Sequence, residues 1–184
     1  MTSNAGDRST LLNIPNAVTL SRLLGIPALF WVLGDPTVDQ RWVAVVIFTI
    51  IAATDWLDGY LARRLNQVTD LGKILDPLVD KLMVVAPLLI LVELEQLPAW
   101  GVFLIIAREL FIAGWRVRQT TVSGANLLGK AKTVSQIVAI ALLIAPLPSA
   151  WMTLSLIAFW ISVALTLLSG LLYVFPVNTA DAQA

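Results

Sequence analysis

Apolar residues in this chain gather into six runs of about 20 residues, separated by short polar or proline-containing segments. A helix of that length spans the hydrocarbon core of a bilayer, which is about 30 Å thick. Stretches such as Val84–Val92 and Ile137–Ala145 lack the polar face that a helix of a soluble bundle needs. The pattern therefore predicts an all-α, polytopic membrane protein, with a soluble helical bundle as the disfavoured alternative. The predicted spans are Pro15–Gly34, Trp42–Leu65, Gly72–Leu94, Pro98–Val117, Gly129–Pro146 and Trp151–Val174.

The 184 residues suggest one membrane domain between two short tails. We predict a polar N-terminal tail over residues 1–13, a membrane domain over 14–175 and a C-terminal tail over 176–184. Pro15 lies where the first span begins, and Pro27 is expected to bend that span.

Basic residues predict the orientation of these spans. With six spans both termini lie on one side of the membrane, and eleven of the twelve Lys and Arg residues fall on that side. The opposite side keeps Arg41, together with Asp35, Asp39, Glu93 and Glu95. Because Lys and Arg are enriched in cytoplasmic segments, both termini are predicted to be cytoplasmic and the protein to lie in the cytoplasmic membrane.

Composition narrows the chemistry that the chain is able to perform. Hydrophobic residues make up 58% of it and charged residues 13%, against about 25% charged residues in soluble domains. The chain has neither Cys nor His, so disulfides, thiolate metal sites and a histidine base are excluded. Carboxylates remain for acid–base or metal chemistry, and they favour magnesium, manganese or calcium. The net charge of zero gives no indication of a nucleic-acid partner.

Four aspartates lie inside the second and third apolar runs, where each costs about 2.5–3.5 kcal/mol near the bilayer centre. Their spacing places them on one face of each predicted helix. At 1.5 Å per residue, both sets lie at one level, roughly 10 Å from the cytoplasmic boundary. The two faces consist of Asp55, Asp58 and Ala62 in the second span, and of Gly72, Asp76 and Asp80 in the third.

Four carboxylates at one level repel each other unless cations bridge them. Two metal ions that share carboxylates would remove this repulsion, and two-metal sites suit phosphoryl displacement. An interhelical ion network with Arg63, Lys73 and Lys81 is one alternative, although it does not require this spacing. Gly59 and Gly72 either let a nucleotide approach the backbone or serve helix packing alone. A divalent-cation transporter is another alternative, but its acids should spread through the full membrane depth.

The residues from Asp55 to Asp80 follow the pattern Asp-x2-Asp-Gly-x2-Ala-Arg-x8-Gly-x3-Asp-x3-Asp. This pattern resembles the signature of the CDP-alcohol phosphotransferase family at all eight positions. The resemblance extends from Asn13 to about Tyr173. Three further stretches, Asn13–Arg22, Ile106–Glu109 and Gly129–Gln136, are similar to members of the family that use glycerol 3-phosphate.

The resemblance implies a six-helix membrane bundle, usually dimeric, with a polar cavity that opens to the cytoplasm. It implies two Mg²⁺ or Mn²⁺ ions held by Asp55, Asp58, Asp76 and Asp80. It also implies that Asp80 is the general base for the acceptor hydroxyl. The residues alone require a carboxylate base, since no histidine exists, but they do not choose among the four. The resemblance further implies a pocket for the CMP part of CDP-diacylglycerol, formed by Asp58, Gly59, Ala62, Arg63 and Gly72.

The acceptor site is predicted from cations within the fourth and fifth spans. Arg108 lies near mid-membrane, where a charge points to function, although Glu109 beside it is able to neutralise it. We expect Arg108, Arg116, Lys132 and Thr133 to bind the acceptor phosphate. The predicted reaction transfers a phosphatidyl group from CDP-diacylglycerol, whose tails lie among membrane lipids, to glycerol 3-phosphate. Inositol phosphate, serine and phosphatidylglycerol are the alternative acceptors.

Overall fold

The computed structural model describes residues 14–65, 70–117 and 127–174, and these residues are all-α, without strands. The six predicted spans are confirmed as helices, with ends within two residues of the prediction except at the start of the second. The predicted tails, 1–13 and 176–184, lie outside the described residues. The helices are α1 (Ile14–Leu33), α2 (Val38–Leu65), α3 (Asp70–Glu93), α4 (Ala99–Val117), α5 (Leu127–Ile144) and α6 (Met152–Val174), with a 3-10 turn at Ser149–Trp151.

The hydrophobic run predicts α2 from Trp42, but the helix begins four residues earlier, at Val38. The cause is a capping box between Thr37 and Gln40. The Gln40 N–H donates to the Thr37 hydroxyl over 3.3 Å, and the Thr37 N–H donates to the Gln40 side-chain oxygen over 2.8 Å. These reciprocal bonds satisfy two backbone donors that the first turn of a helix otherwise leaves without acceptors.

The end of α3 is closed by a Schellman motif, in which the chain turns through a left-handed residue. Glu95 has a φ of 58°. The Gln96 N–H donates to the Leu91 carbonyl over 2.9 Å, and the Glu95 N–H donates to the Val92 carbonyl over 3.0 Å. Glycine is the usual residue at this position because a side chain there clashes with the backbone. Glu95 therefore holds a strained conformation between α3 and α4.

The chain forms two compact units. The first comprises α1, α2, α3 as far as Ile90, and Ile144–Pro146. In it α1 packs against α2 at Gly25, where a Cβ atom would lie only 2.5 Å from Cδ1 of Ile51. Arg41 also belongs to this unit, and its Nε donates to the Ile144 carbonyl over 3.0 Å. The one basic residue predicted on the outer side of the membrane thus satisfies a backbone carbonyl at a helix end.

The second unit comprises the chain from Leu91 to Leu143 and from Leu147 onwards, which includes α4 and α6. These two helices pack closely at Gly101, where a Cβ atom would lie 2.9 Å from the ring of Phe159. Phe159 is completely buried. The rings of Trp100 and Trp160 are in contact nearby, with centroids 4.4 Å apart and an angle of 34° between their planes. This close contact fixes α6 against the helix that carries Arg108 and Glu109.

The described residues include an apolar core, but many large apolar side chains are exposed and a few charged residues are buried. Large apolar side chains are exposed on all six helices, including Trp31 at 85% and Phe103 at 65% exposure. Two charged residues, Arg22 and Lys132, are buried. Within the described part, one helical segment, Ser149–Val174, has the length and hydropathy of a membrane span, with a mean hydropathy of 2.1. Thr19–Leu33 is apolar but shorter.

Candidate active site

The predicted metal and nucleotide residues lie on α2 and α3. Because both segments are helical, the spacings of three and four residues place the aspartates of each helix on one side of it. Asp80 is the one of them whose side chain the structure describes. Among the described side chains no group of three or more Asp, Glu, His or Cys residues could hold a metal. The other predicted metal and nucleotide residues lie outside the part whose side chains the structure describes. They are Asp55, Asp58, Gly59, Ala62, Arg63, Gly72 and Asp76.

Asp80 forms an ion pair with Arg22 of α1. Nη1 of Arg22 donates to Oδ1 of Asp80 over 3.1 Å. The Arg22 side chain is 2% exposed and the Asp80 side chain 48% exposed. A buried guanidinium requires a carboxylate or other acceptor nearby. The pair therefore fixes the orientation of the Asp80 carboxylate while leaving about half of that side chain accessible.

The sequence did not indicate this pair, because 58 residues separate its members. Arg22 lies in a stretch that resembles the family, but the resemblance assigns it no role. A signal was nevertheless present, since Thr19 and Arg22 are one helical turn apart and both polar in an apolar run. The structure buries both of them.

In the second unit, three charged side chains from α4 and α5 meet at one carboxylate oxygen. Nη1 of Arg108 donates to Oε1 of Glu109 over 2.9 Å, and Nζ of Lys132 donates to the same oxygen over 2.5 Å. All three side chains are between 11% and 17% exposed. Glu109 neutralises one of the two cations, so this Glu109 cluster keeps one net positive charge in surroundings that exclude most water.

The Glu109 cluster is supported by α6, a helix for which the sequence predicts no functional residue. Nη2 of Arg108 donates to Oγ of Ser169 over 2.9 Å. One turn earlier on α6, Thr166 accepts a hydrogen bond of 2.9 Å from Gln136 of α5. The available signal was the spacing of Ser162, Thr166 and Ser169 by four and three residues, which places three hydroxyls on one side of an apolar helix.

The structure brings together two of the four predicted acceptor residues, Arg108 and Lys132. Thr133 follows Lys132 on α5, but its hydroxyl donates to the Gly129 carbonyl over 3.2 Å, within its own helix. Its hydrogen is thus directed along α5. The side chain of Arg116 lies outside the described residues. The neighbouring Lys130 is exposed.

Comparison with known proteins decides the family. The family model for CDP-alcohol phosphatidyltransferases matches residues 12–168, which include the aspartate signature, the Arg22–Asp80 pair and the Glu109 cluster. The chain belongs to this family. The resemblance described from the sequence is thereby confirmed, and the alternative of a divalent-cation transporter is rejected in favour of an enzyme.

Relatives within the CDP-alcohol phosphatidyltransferase family match nearly the whole chain. The CDP-diacylglycerol–glycerol-3-phosphate 3-phosphatidyltransferase of Bacillus subtilis (strain 168) is 40% identical over 178 residues, covering 87% of this chain and 92% of that protein. The protein of the same name from Escherichia coli (strain K12) is 37% identical over 171 residues, covering 88% and 92%. That from Salmonella choleraesuis (strain SC-B67) is 38% identical over 171 residues, with the same coverage.

Enzymes of this family generally depend on a divalent metal ion. The donor set of this chain fits such an ion, because without Cys or His the side chains available as strong ligands carry oxygen. Oxygen ligands favour hard cations such as Mg²⁺ and Mn²⁺. The family and the composition of the chain therefore agree on the class of metal.

Proposed function

We propose that this enzyme transfers the phosphatidyl group of CDP-diacylglycerol to sn-glycerol 3-phosphate and releases CMP. The product is phosphatidylglycerophosphate, so the enzyme belongs to phospholipid biosynthesis. The observation that carries this proposal is the likeness to relatives named for this reaction, at 37–40% identity over 92% of their length. The buried, net positive Glu109 cluster supports it independently. An acceptor that bears a phosphate loses its hydration when it binds, and cations in the site compensate for that loss.

The chemistry is a single displacement at the phosphorus that carries the lipid. An acceptor hydroxyl oxygen forms a bond to this phosphorus, the bond to the CMP oxygen breaks, and the hydroxyl proton passes to a base. Asp80 is the proposed base, and its ion pair with Arg22 would hold the carboxylate in one orientation. Two Mg²⁺ or Mn²⁺ ions, held by Asp55, Asp58, Asp76 and Asp80, would neutralise the pyrophosphate and the leaving phosphate.

The CMP part of the substrate is assigned to the signature residues. Asp58, Gly59, Ala62, Arg63 and Gly72 are proposed to bind it, on the basis of the family resemblance. Glycine and alanine at three of these positions leave room for a nucleotide beside the helix backbone.

The acceptor phosphate is assigned to Arg108 and Lys132. Both cations already bind a carboxylate oxygen of Glu109, which shows that an anionic oxygen fits between them. A phosphate bound beside Glu109, by the remaining N–H groups of the two cations, would gain charge-assisted hydrogen bonds, typically worth about 1.5–3 kcal/mol each. Arg116 and Thr133 are proposed to contribute because of their positions on α4 and α5.

We further propose that α1 to α6 each cross the cytoplasmic membrane, with both termini in the cytoplasm, and that the enzyme is a homodimer. Apolar exteriors on all six helices, together with buried charges, support the membrane assignment. The orientation is supported by the distribution of basic residues. The dimer rests on the family resemblance.

An acceptor panel tests the function. The purified enzyme is given CDP-diacylglycerol and Mg²⁺ or Mn²⁺, and CMP release is measured with different acceptors. Glycerol 3-phosphate is expected to be preferred over glycerol, inositol phosphate, serine and phosphatidylglycerol. Glycerol is the sharpest control because it has the hydroxyls and lacks the phosphate. Equal kcat/KM for glycerol, or a higher value for one of the other acceptors, would contradict the proposed acceptor.

A further inference from the structure

A buried strip of hydroxyl-bearing residues runs along the otherwise apolar α6. Each hydroxyl donates its hydrogen to a main-chain carbonyl three or four residues earlier, over 2.6–3.1 Å. With its hydrogen used in this way, a hydroxyl offers other groups only its lone pairs. The strip is therefore a row of hydrogen-bond acceptors. It consists of Ser155, Ser162, Thr166 and Ser169.

Two of these acceptors are used by side chains from neighbouring helices. Ser169 accepts from Nη2 of Arg108, and Thr166 accepts from Nε2 of Gln136, each over 2.9 Å. Within the described residues, the hydroxyl of Ser162 bonds only to the Phe159 carbonyl. Ser162 and Ser169 thus share a helix, a buried setting and a main-chain bond, and they differ in the contact with Arg108.

Gly170, the next residue on α6, lies directly against the side chain of Arg108. A Cβ atom at Gly170 would be 3.0 Å from Nε and 3.1 Å from Cγ of Arg108. Ordinary contacts of a Cβ atom are 3.4–4 Å, so a side chain at this position would require Arg108 to shift by a few tenths of an ångström. The same Nε is buried and has no hydrogen-bond partner among the residues that the structure describes. The backbone of α6 therefore covers the Nε edge of the guanidinium, and Nη1 and Nη2 make its hydrogen bonds.

We infer that Ser169 and Gly170 are positioning residues for the acceptor phosphate, and that they act by fixing the guanidinium plane of Arg108. Glu109 holds Nη1, Ser169 holds Nη2, and Gly170 sets how closely the side chain approaches α6. Each terminal nitrogen keeps a second N–H, and a guanidinium fixed in this way presents them in a defined direction to an anion. The inference rests on the proposed function, which assigns the acceptor phosphate to Arg108.

The test compares Ser169→Ala and Gly170→Ala with Ser162→Ala as the matched control. Steady-state CMP release gives the KM for glycerol 3-phosphate, the KM for CDP-diacylglycerol and kcat. Ser169→Ala and Gly170→Ala are each expected to raise the KM for glycerol 3-phosphate about three- to tenfold, because each loosens a hydrogen-bonded cation. The KM for CDP-diacylglycerol should stay within about twofold. Ser162→Ala should leave all three values near those of the wild type.

Combination with Arg108→Gln separates positioning from general damage to the fold. Once Arg108 is gone, adding Ser169→Ala or Gly170→Ala should raise the acceptor KM no further, since coupled residues are not additive. If Arg108→Gln raises the acceptor KM while both α6 variants behave like Ser162→Ala, or if the effects remain additive, the inference is wrong and the proposed function stands. If Arg108→Gln itself leaves the acceptor KM unchanged, the phosphate assignment fails and the inference fails with it.

Discussion

Two arginines of this enzyme, Arg22 and Arg108, are held by partners that are distant in sequence. Arg22 and Asp80 are 58 residues apart, and Arg108 and Ser169 are 61 apart. Helical periodicity predicts which residues share a side of one helix, but not which side of another helix they meet. The sequence therefore identified Arg108 as a candidate from its unusual position in an apolar run. It could not show that Ser169 holds Arg108.

The first prediction concerns Asp80. In Asp80→Asn the amide oxygen still accepts a hydrogen bond from Arg22, so the fold should be retained, but the amide cannot take the acceptor proton. We expect kcat to fall by about 10²- to 10⁴-fold while CDP-diacylglycerol still binds in a metal-dependent way. Asp55→Asn provides the contrast, because Asp55 is proposed only as a metal ligand, so its loss should act mainly by raising the metal concentration needed for half-maximal activity. Near-normal turnover of Asp80→Asn at saturating metal would exclude Asp80 as the base.

The second prediction concerns the two cations of the Glu109 cluster. Arg108→Gln and Lys132→Gln should each raise the KM for glycerol 3-phosphate roughly ten- to a hundredfold, because each removes a charge-assisted hydrogen bond. The KM for CDP-diacylglycerol should change little. Lys130→Gln is the control, since Lys130 lies on the same helix and is exposed. An unchanged KM in both test variants would place the acceptor phosphate elsewhere.

At the scale of helices, the hydrophobic pattern predicted existence and length well, because proline, glycine and polar residues delimit each run. It failed where side chains outside the run extend a helix. The capping box of Thr37 and Gln40 carries α2 back to Val38 through residues that are mostly polar. Likewise, Glu95 showed no sign of a left-handed conformation, since that position usually holds glycine. Apolar periodicity reflects which residues are buried, whereas the start of α2 and the end of α3 depend on hydrogen bonds to the backbone.

The third prediction follows from the strained end of α3. Glu95→Gly should stabilise the protein by about 0.5–1 kcal/mol, because glycine adopts a φ of 58° without a steric cost. The midpoint of thermal unfolding in detergent should then rise by about 1–4 °C. Glu93→Gly is the matched control, since Glu93 is the last residue of α3 and glycine weakens a helix. Its melting temperature should fall. A decrease for Glu95→Gly as well would show that the left-handed residue is not the source of strain.

Across the described part of the chain, several charged and polar groups are buried beside the apolar core, and many large apolar residues are exposed. Arg22, Lys132, Gln136 and Thr166 are buried, while Trp31, Leu24 and Phe103 are among the most exposed side chains. In water this distribution would be strongly unfavourable, because apolar surface remains exposed and charges lose their hydration. In a bilayer the exposed apolar side chains face lipid, and the buried charges face one another. The exposed apolar side chains and the distribution of basic residues together predict a specific topology.

The fourth prediction is that topology. The chain contains no cysteine, so single cysteines report on their own positions without background. Glu95 and Lys130 are both exposed, Glu95 between α3 and α4 and Lys130 near the start of α5. In intact cells or spheroplasts, an impermeant maleimide added outside should label Glu95→Cys and leave Lys130→Cys unlabelled. After the membrane is opened, both should react, which shows that the Lys130→Cys thiol is accessible from the cytoplasm.

CDP-diacylglycerol carries a charged nucleotide that cannot cross the bilayer unaided, so an active site supplied from the cytoplasm requires this orientation. Labelling of Lys130→Cys from outside, with Glu95→Cys protected, would invert the topology and place the signature aspartates on the wrong side for their substrate.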